Sequence, residues 1–155
     1  NKGLKDRRAM ELTAKVWQRT ASRQSSVSLL MVDVDYFKRI NDAHGHPEGD
    51  RVLVNFARQL LAGARGSDLV ARYGGEEFVL WLPDADAEAA ARIAERVHKC
   101  ARRVRSLAGP VTVSVGLACA AHQTGADFLA RLLKRSDEAV YRAKALGRNC
   151  TVVSD

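Results

Sequence analysis

Two glycines followed directly by two acids, Gly74-Gly75-Glu76-Glu77, form the most chemically suggestive stretch of this sequence. An apolar-flanked segment precedes the glycines, and a second apolar run follows the acids. Two β-type runs joined by Gly-Gly predict a tight hairpin, because both turn positions can require positive φ. Glycine also lets a ligand approach the backbone closely, and adjacent carboxylates favour a cation. The stretch therefore predicts a site where a metal ion holds a phosphate.

A second pair of acids, Asp33 and Asp35, ends a continuous apolar run. Residues 27–34 are mostly β-branched and aliphatic, which predicts a strand buried on both faces. A charged residue is costly inside a core. We therefore expect these acids to lie at the exit of the strand or to have a cationic partner.

The elements that must position these acids alternate along the chain. Apolar spacing and turn residues predict the order α-β-α-α-β-β-α-β-α-β. The helices are expected near residues 6–23, 36–43, 53–61, 87–104 and 128–143, and the strands near 27–34, 68–73, 78–82, 111–118 and 150–153. Residues 44–50 carry turn chemistry and are expected to form a loop. A hairpin inside an alternating pattern predicts an α/β (α+β) fold with a mixed, mainly antiparallel sheet flanked by helices.

Length and composition fit one globular domain over residues 1–155, since 46% of the residues are apolar. No apolar run approaches the ~20 residues of a membrane span. The formal charge of +7 suits an anionic partner and equally suits solvated helix faces. Three scattered cysteines, Cys100, Cys119 and Cys150, favour reduced thiols and a cytoplasmic location. A nucleic-acid binder is disfavoured, because aromatic residues are only 6% of the chain and form no stacking platform.

Three separated stretches resemble the GGDEF domains of bacterial diguanylate cyclases. They are DVDYFKRIND at 33–42, GHPEGD at 45–50 and RYGGEEF at 72–78. The segment YRAKALGRN at 141–149 resembles the C-terminal signature of that family, and GLKDRR at 3–8 resembles its start less closely. Asn1-Lys2 stand where that family usually has Leu-Thr, and Asp6 where it usually has asparagine. The resemblance spans essentially the whole chain and implies an antiparallel-cored sheet with flanking helices.

The resemblance implies that the domain condenses two GTP molecules into cyclic di-GMP and releases two pyrophosphates. Because one domain holds one GTP, catalysis would require a homodimer, and cyclic di-GMP would also act as an inhibitor. The domain would be the C-terminal part of a longer sensor protein, with no membrane contact of its own even where the parent protein is membrane-anchored. The alternative is a catalytically silent module that binds GTP or cyclic di-GMP and signals through protein contacts.

The motif positions imply a Mg²⁺ site, with Mn²⁺ as a possible substitute. Asp33, the Val34 carbonyl, Glu76 and Glu77 would be the ligands, and hard oxygen atoms suit this ion. The strands that carry Asp33 and Glu76 must then be neighbours in the sheet. Glu76, Glu77 and Lys38 would be catalytic, since a carboxylate can take the proton of the attacking hydroxyl and a lysine can stabilise phosphate charge. Strand alternation favours opposite faces for Glu76 and Glu77, and which of them is the base stays open.

The same positions imply residues that bind the nucleotide. Asn41, His46 and Asp50 would line the guanine pocket, because a carboxylate that accepts from guanine N1 and N2 disfavours adenine. The phosphate contacts would come from backbone amides and cations of Tyr36, Phe37, Gly75, Lys144 and Arg148. Taken alone, His46 would be structural, and Lys144 would be an ordinary last-turn cation that the helix dipole stabilises.

Arg65 and Asp68 match the RxxD site at which many related cyclases bind their own product. Arginine presents a bidentate fork to phosphate or to a guanine edge, and aspartate can accept from guanine. Arg96, on the following helix, matches an auxiliary arginine of this site. The position just upstream of the hairpin predicts that the product is sensed close to where it is made. The alternative is a surface ion pair between Arg65 and Asp68.

Overall fold

The computed structural model describes residues 3–155, which fold into five helices and five strands in the predicted order. The helices are α1 (Arg7–Thr20), α2 (Phe37–His44), α3 (His46–Gly63), α4 (Ala87–Arg102) and α5 (Phe128–Ala145). The strands are β1 (Ser26–Val34), β2 (Leu69–Arg72), β3 (Glu77–Pro83), β4 (Val113–Ala121) and β5 (Cys150–Val153). Within this range no helix combines the length and the apolar character needed to span a membrane.

A single sheet with the strand order β2-β3-β1-β4-β5 forms the centre of the fold. The middle strand, β1, runs antiparallel to both of its neighbours, β3 and β4. β2 is antiparallel to β3, whereas β5 runs parallel to β4. The predicted mixed, mainly antiparallel sheet is confirmed. Because β4 and β5 are parallel, the chain between them must cross back over the sheet, and α5 makes this crossing.

The alternation of β1 divides the core into two layers. Leu30 faces a cluster built with α3 and α4, whereas Leu29 faces a second cluster built with α1 and α5, which includes Trp17. Successive side chains of a strand point to opposite faces. Asp33 and Asp35 therefore continue the Leu29 face, which leads them toward α5.

Gly116 on β4 determines how closely α5 can lie on the sheet. It pairs with Met31 of β1. A Cβ at this position would collide with the Ser136 carbonyl oxygen and would lie 2.7 Å from the Val140 nitrogen, both in the α5 backbone. Since backbone cannot rotate away, a side chain here would displace the helix. The bare glycine thus permits the contact that carries the C-terminal end of α5 to the acids of β1.

α1 docks on the sheet through one buried face, and its N-terminus is capped. The Asp6 side chain accepts a hydrogen bond from the Ala9 amide at 2.9 Å. Aspartate is a good N-cap residue, so the difference from asparagine at this position leaves the helix start satisfied. The other two departures from the usual family start, Asn1 and Lys2, lie outside the described residues.

Residues 44–50 do not form the predicted loop, because α3 already begins at His46. Gly45, with a φ of 88°, alone separates α2 from α3. Pro47 lies in the first turn of α3, where its fixed φ suits a helix and its missing N–H leaves no partner unsatisfied. Glu48 in the same turn adds an acid at the positive end of the helix dipole. The residues that suggested a turn therefore start a helix.

The boundaries of two other elements also differ from the prediction. α2 begins at Phe37, because Tyr36 adopts a left-handed conformation with a φ of 56° and serves as the N-cap. β4 begins at Val113 and ends at Ala121, and the Thr112 carbonyl just before it accepts a hydrogen bond from the Asp35 amide at 2.9 Å, in the register of β1 with β4. The starts of α2 and β4 lie at the exit of β1, whereas the end of β4 lies opposite Ser26 at the start of β1.

The three cysteines and two of the histidines, His98 and His122, lie in contacts within the fold. The three cysteines are free thiols, and burial raises the pKa of Cys100. His98 is buried with its Nε2 2.8 Å from the Thr151 hydroxyl, and burial lowers its pKa. His122 Nε2 lies 2.8 Å from the Gln18 carbonyl oxygen. His98 on α4 thus contacts β5, and His122 contacts α1.

We expect Gly116→Ala to lower the free energy of unfolding by about 1–3 kcal/mol, because the added Cβ presses on α5 backbone. Chemical denaturation followed by circular dichroism measures the change. Gly75→Ala is the matched control, since nothing lies within 4 Å of a Cβ at that position. Equal stability of the two variants would contradict the close contact between β4 and α5.

Candidate active site

β1 delivers two buried carboxylates to the C-terminal end of α5. Lys144 Nζ lies 2.6 Å from Asp33 Oδ2, and Arg148 Nη1 lies 3.9 Å from Asp35 Oδ1. The two acids are two residues apart on one strand face, and the two cations are four residues apart where α5 ends. The acids at the strand exit thus have the cationic partners that their burial requires.

The β2–β3 hairpin brings further acids to the same place. Glu77 lies opposite Asp33 in the antiparallel pairing of β3 with β1. The Glu76 carbonyl accepts a hydrogen bond from the Val34 amide at 3.1 Å. Directly paired residues share a sheet face, so Glu77 points with Asp33 toward α5, whereas Glu76 lies in the turn just before β3. The two strands are neighbours, as a shared metal site requires.

The hairpin glycines matter because they lack a side chain, and not because they adopt unusual φ angles. Positive φ was predicted for the turn, but neither Gly74 nor Gly75 has it. A Cβ on Gly74 would collide with Glu77 Oε1, so the missing side chain makes room for that carboxylate. A Cβ on Gly75 would meet nothing within 4 Å, which leaves the backbone open to a ligand. The turn closes through the Tyr73 amide, which donates to the Glu77 carbonyl at 2.8 Å.

Burial, reinforced by repulsion between carboxylates, raises the pKa at the centre of this cluster. Burial raises the pKa of the Glu77 carboxyl, and nearby carboxylates raise it further. In decreasing order of effect they belong to Asp33, Asp137 and Glu76, and the Lys144 ammonium opposes them. Sequence reasoning missed Asp137, although it precedes Lys144 by two helical turns and therefore shares its helix face. The cluster holds more negative than positive charge, so a cation would stabilise it.

The donor set fits a phosphate-bound Mg²⁺ better than an enclosed structural ion. In residues 3–155, no three His, Cys, Asp or Glu side chains converge closely enough to hold a metal by themselves. Mg²⁺ usually takes one or two carboxylates and completes its shell with phosphate and water. The predicted ligands meet at the ends of β1 and β3, and they are Asp33, Val34, Glu76 and Glu77.

Cations and an aromatic ring surround the start of α2. The Tyr36 ring lies 4.2 Å from the Arg39 guanidinium and 4.8 Å from that of Arg148. Lys38 is 89% exposed and forms an ion pair with Asp42 at 3.0 Å. Exposed pairs of this kind contribute little, so Lys38 remains available to an anion. Through Arg148, which contacts both Tyr36 and Asp35, the start of α2 therefore lies beside the acids at the end of β1.

The three residues predicted to bind guanine lie at the junction of α2 and α3. A Cβ on Gly49 would collide with Asn41 Oδ1, so the two helices touch at this point. That oxygen is buried, and within the described chain it has no hydrogen-bond partner. Asp50 follows Gly49 directly, and His46 lies one turn earlier on the same face of α3; both are exposed. The junction thus offers an exposed carboxylate beside a buried amide.

Arg65 and Asp68 form a close ion pair at the turn between α3 and β2. Arg65 Nε and Nη2 donate to Asp68 Oδ1 at 2.9 and 2.6 Å, and the Arg65 amide donates to Oδ2 at 3.0 Å. The Asp68 side chain is 2% exposed, whereas that of Arg65 is 41% exposed. Arg96 Nη1 donates to the Gly63 carbonyl at 2.6 Å, beside the same turn. The structure thus brings Arg65, Asp68 and Arg96 together, and the buried Asp68 carboxylate is paired with Arg65.

The Arg65 cluster lies at the opposite end of β3 from the acids. Arg65 Nη2 donates to the Pro83 carbonyl at 3.3 Å, where β3 ends, while Glu77 lies where it begins. Six residue steps of strand separate the two, which is about 20 Å. The expectation that these two sites lie close together is therefore wrong. The hairpin is near in sequence, but its strands carry the two sites apart.

A family model described as "Diguanylate cyclase, GGDEF domain" matches residues 2–150. Response regulator PleD of Caulobacter vibrioides is 44% identical over 97% of this chain and 34% of its own length. Diguanylate cyclase DgcM of Escherichia coli K12 is 47% identical over 79% of this chain and 29% of its own length. The solved GGDEF domain of PA1120 (YfiN or TpbB) from Pseudomonas aeruginosa has a TM-score of 0.87 at 34% identity, covering 100% of this chain and 99% of that one. The chain spans about a third of the length of the curated relatives it matches.

We expect Glu77→Gln to raise the melting temperature at neutral pH without nucleotide or divalent metal. Because the folded-state pKa is raised, the ionised carboxyl costs stability above that pKa, and the cost vanishes below the unfolded value near 4.5. The gain should therefore shrink as the pH falls toward 4.5. Scanning fluorimetry across pH measures it. Glu138→Gln, at an exposed acid of α5, is the control, and the same pH profile in both variants would contradict the crowding at Glu77.

Proposed function

Since the chain belongs to the GGDEF family of diguanylate cyclase domains, we propose that it condenses two GTP molecules into cyclic di-GMP. The observation that carries the proposal is the meeting of Asp33, Glu77 and Lys144 at the ends of β1, β3 and α5. Carboxylates and a cation held together on rigid elements suit phosphoryl chemistry, which depends on positioning and electrostatic stabilisation.

In the proposed reaction, the 3′-hydroxyl of one GTP attacks the α-phosphate of another. A new P–O bond forms, the bond to the β-phosphate oxygen breaks, and pyrophosphate leaves. A carboxylate, Glu76 or Glu77, accepts the hydroxyl proton. Asp33, the Val34 carbonyl, Glu76 and Glu77 would hold Mg²⁺, or Mn²⁺ in its place, and the ion supplies positive charge against the developing phosphate charge. The same bond formation then occurs with the two nucleotides exchanged, which closes the ring.

Cations from two distant parts of the chain bind the phosphates in this proposal. Lys38 is exposed at the start of α2, and Lys144 and Arg148 come from the end of α5. Backbone amides of Tyr36 and Phe37 at the helix start can donate to the terminal phosphates. Gly75 lets its backbone approach them, because no neighbour lies within 4 Å of where its Cβ would be.

Guanine recognition is assigned to the junction of α2 and α3. Asp50 accepts from guanine N1 and N2, and the Asn41 amide bonds a neighbouring edge of the base. The buried, unpartnered Asn41 oxygen supports a role that packing alone does not explain. Adenine lacks this donor pair, so it would leave the carboxylate unsatisfied. His46, one turn before Asp50, lines the same pocket.

Catalysis in this proposal requires two copies of the domain. Each copy holds one GTP, and two copies must meet antiparallel so that each hydroxyl faces the α-phosphate of the other nucleotide. The activity should therefore rise with the square of protein concentration when the monomer predominates. A homodimer is thus the working form, and anything that brings two copies together would activate it.

Product inhibition is assigned to Arg65, with Arg96 beside it. The guanidinium of Arg65 is partly exposed and borders a surface cleft of about 280 Å³ that Lys5 and Ser67 also line. A cleft with two cations suits the phosphates of cyclic di-GMP. Asp68 is almost fully covered, so its part is to orient Arg65. Inhibition would then be exerted over about 20 Å along β3.

We expect the purified protein to form cyclic di-GMP from GTP and Mg²⁺, and Glu76→Gln to lower turnover by about 10²–10⁴-fold through loss of the carboxylate. Chromatography of the products at high protein concentration measures both. Glu138→Gln is the control variant, because it also removes one acid but lies outside the proposed catalytic residues. Absence of cyclic di-GMP from a concentrated or artificially dimerised wild type would favour the catalytically silent module.

We expect Arg65→Ala to weaken cyclic di-GMP binding by about 10- to 100-fold, which corresponds to a lost charged hydrogen-bond pair. Titration calorimetry of the product in the absence of GTP measures this affinity. Arg58→Ala, at an exposed arginine of α3, is the matched control. Unchanged product affinity in the Arg65 variant would exclude this site.

A further inference from the structure

We propose that Asp35 is a positioning residue that holds the turn 147–149, and thereby Arg148 and Lys144, against the end of β1. The inference rests on the proposed function, because it concerns the cations assigned to phosphate binding. Asp35 itself is buried, and both of its carboxylate oxygens accept hydrogen bonds within the fold. Its effect is exerted through the segment it anchors.

The Asp35 carboxylate joins three parts of the fold. Its side chain is fully buried. Ser114 Oγ donates to Oδ1 at 2.6 Å, Thr112 Oγ1 donates to Oδ2 at 2.7 Å, and the Asn149 amide donates to Oδ2 at 3.0 Å. Both oxygens are therefore engaged by directed donors from β4, from the segment before it and from the turn that follows α5. A buried carboxylate held in this way has little freedom to move.

The turn it holds is conformationally unfavourable. Gly147, Arg148 and Asn149 have φ values of 113°, 67° and 50°, so three consecutive residues lie in the left-handed region. That region suits glycine and is tolerated by asparagine but is unfavourable for Arg148, and such a conformation persists when neighbouring contacts maintain it. The Asn149 amide bond to Asp35 lies at the end of the run, directly before β5. Asp35 is thus placed to keep the turn in this conformation.

The anchored turn sets the position of the cations. Arg148 lies 3.9 Å from Asp35 and 4.8 Å from the Tyr36 ring, between the buried carboxylate and the start of α2. Lys144, one turn earlier, meets Asp33 at 2.6 Å. Two acids that are two residues apart therefore face two cations that are four residues apart, one on α5 and one in the turn that follows it. Release of the turn would move Arg148 first and Lys144 with it.

The test compares Asp35→Asn and Ser114→Ala with Ser28→Ala as the matched control. Ser28 is also a fully buried serine of the central sheet, but it donates to the Ala85 carbonyl at 2.8 Å near the start of β1. Two quantities are measured with the full chain: the dissociation constant of a non-hydrolysable GTP analogue with Mg²⁺ by calorimetry, and hydrogen exchange of the Asn149 amide. Melting temperatures show that each variant is folded.

We expect Asp35→Asn to weaken analogue binding by about tenfold or more, because cation contacts to phosphate are charge-assisted and depend on geometry. Ser114→Ala should weaken it less and in the same direction. Exchange at Asn149 should speed up in both variants. Ser28→Ala should lower the melting temperature while leaving affinity and exchange at wild-type values.

A double-mutant cycle with Arg148→Met separates positioning from general destabilisation. If Asp35 acts through Arg148, the combined variant should bind the analogue about as weakly as the weaker of the two single variants. Fully additive losses, or a loss in Ser28→Ala as large as in Ser114→Ala, would overturn the proposal. So would wild-type affinity in both test variants. If Asp35→Asn does not fold, Ser114→Ala decides.

Failure of the proposed function would be recognised separately. A wild-type chain that does not bind the analogue at all would refute the nucleotide site. Exchange at Asn149 would still decide whether Asp35 anchors the turn, and unchanged exchange in both variants would overturn that anchor. The two results do not depend on each other.

Discussion

The antiparallel register between β1 and β3 is the constraint on which the candidate site depends. It sets Asp33 opposite Glu77 and brings the Glu76 carbonyl to the Val34 amide. A slip of one residue would send one acid to the other face of the sheet, since side chains alternate. Because β1 is central and buried on both faces, this register is also the one that buries its apolar residues. The same pairing that stabilises the core therefore assembles the acidic cluster.

The cations of the site depend on a second constraint, the close approach of α5 to β4 at Gly116. This helix is the crossover between two parallel strands, so its path over the sheet is determined by topology. The absence of a side chain at Gly116 determines how closely α5 lies on the sheet. With both its path and its distance from the sheet determined, the end of α5 arrives over the exit of β1. Lys144, in the last turn of α5, meets Asp33 there, and Arg148, in the short turn that follows the helix, lies beside Asp35.

The order of the elements and the neighbouring strands could be predicted because they follow from apolar periodicity and from the resemblance of short motifs. Residues 44–50 were predicted wrongly because proline and glycine are common both in turns and at helix starts, and in the structure Gly49 packs on Asn41 within the first turns of α3. The turn glycines were assigned to positive φ, whereas Gly74 is needed for its lack of volume beside Glu77. Local sequence could not predict that Asp137 joins the acidic cluster, because this depends on how α5 packs on the sheet. It also could not predict the distance between Arg65 and Glu77, which depends on the path of β3.

The contact between Asp33 and Lys144 joins residues that are 111 positions apart. Contacts of such long range form late, because the intervening chain must be ordered before they stabilise anything. During synthesis, the first four strands of the sheet can pair while α5 and β5 are still emerging, and at that stage the acids of β1 lack their cations. A chain truncated before α5 would lack Phe128, Leu132 and Val140, which cover one face of the sheet, and would leave the acids of β1 without their cationic partners. The acids of β1 therefore gain their cationic partners only with α5 and the turn that follows it.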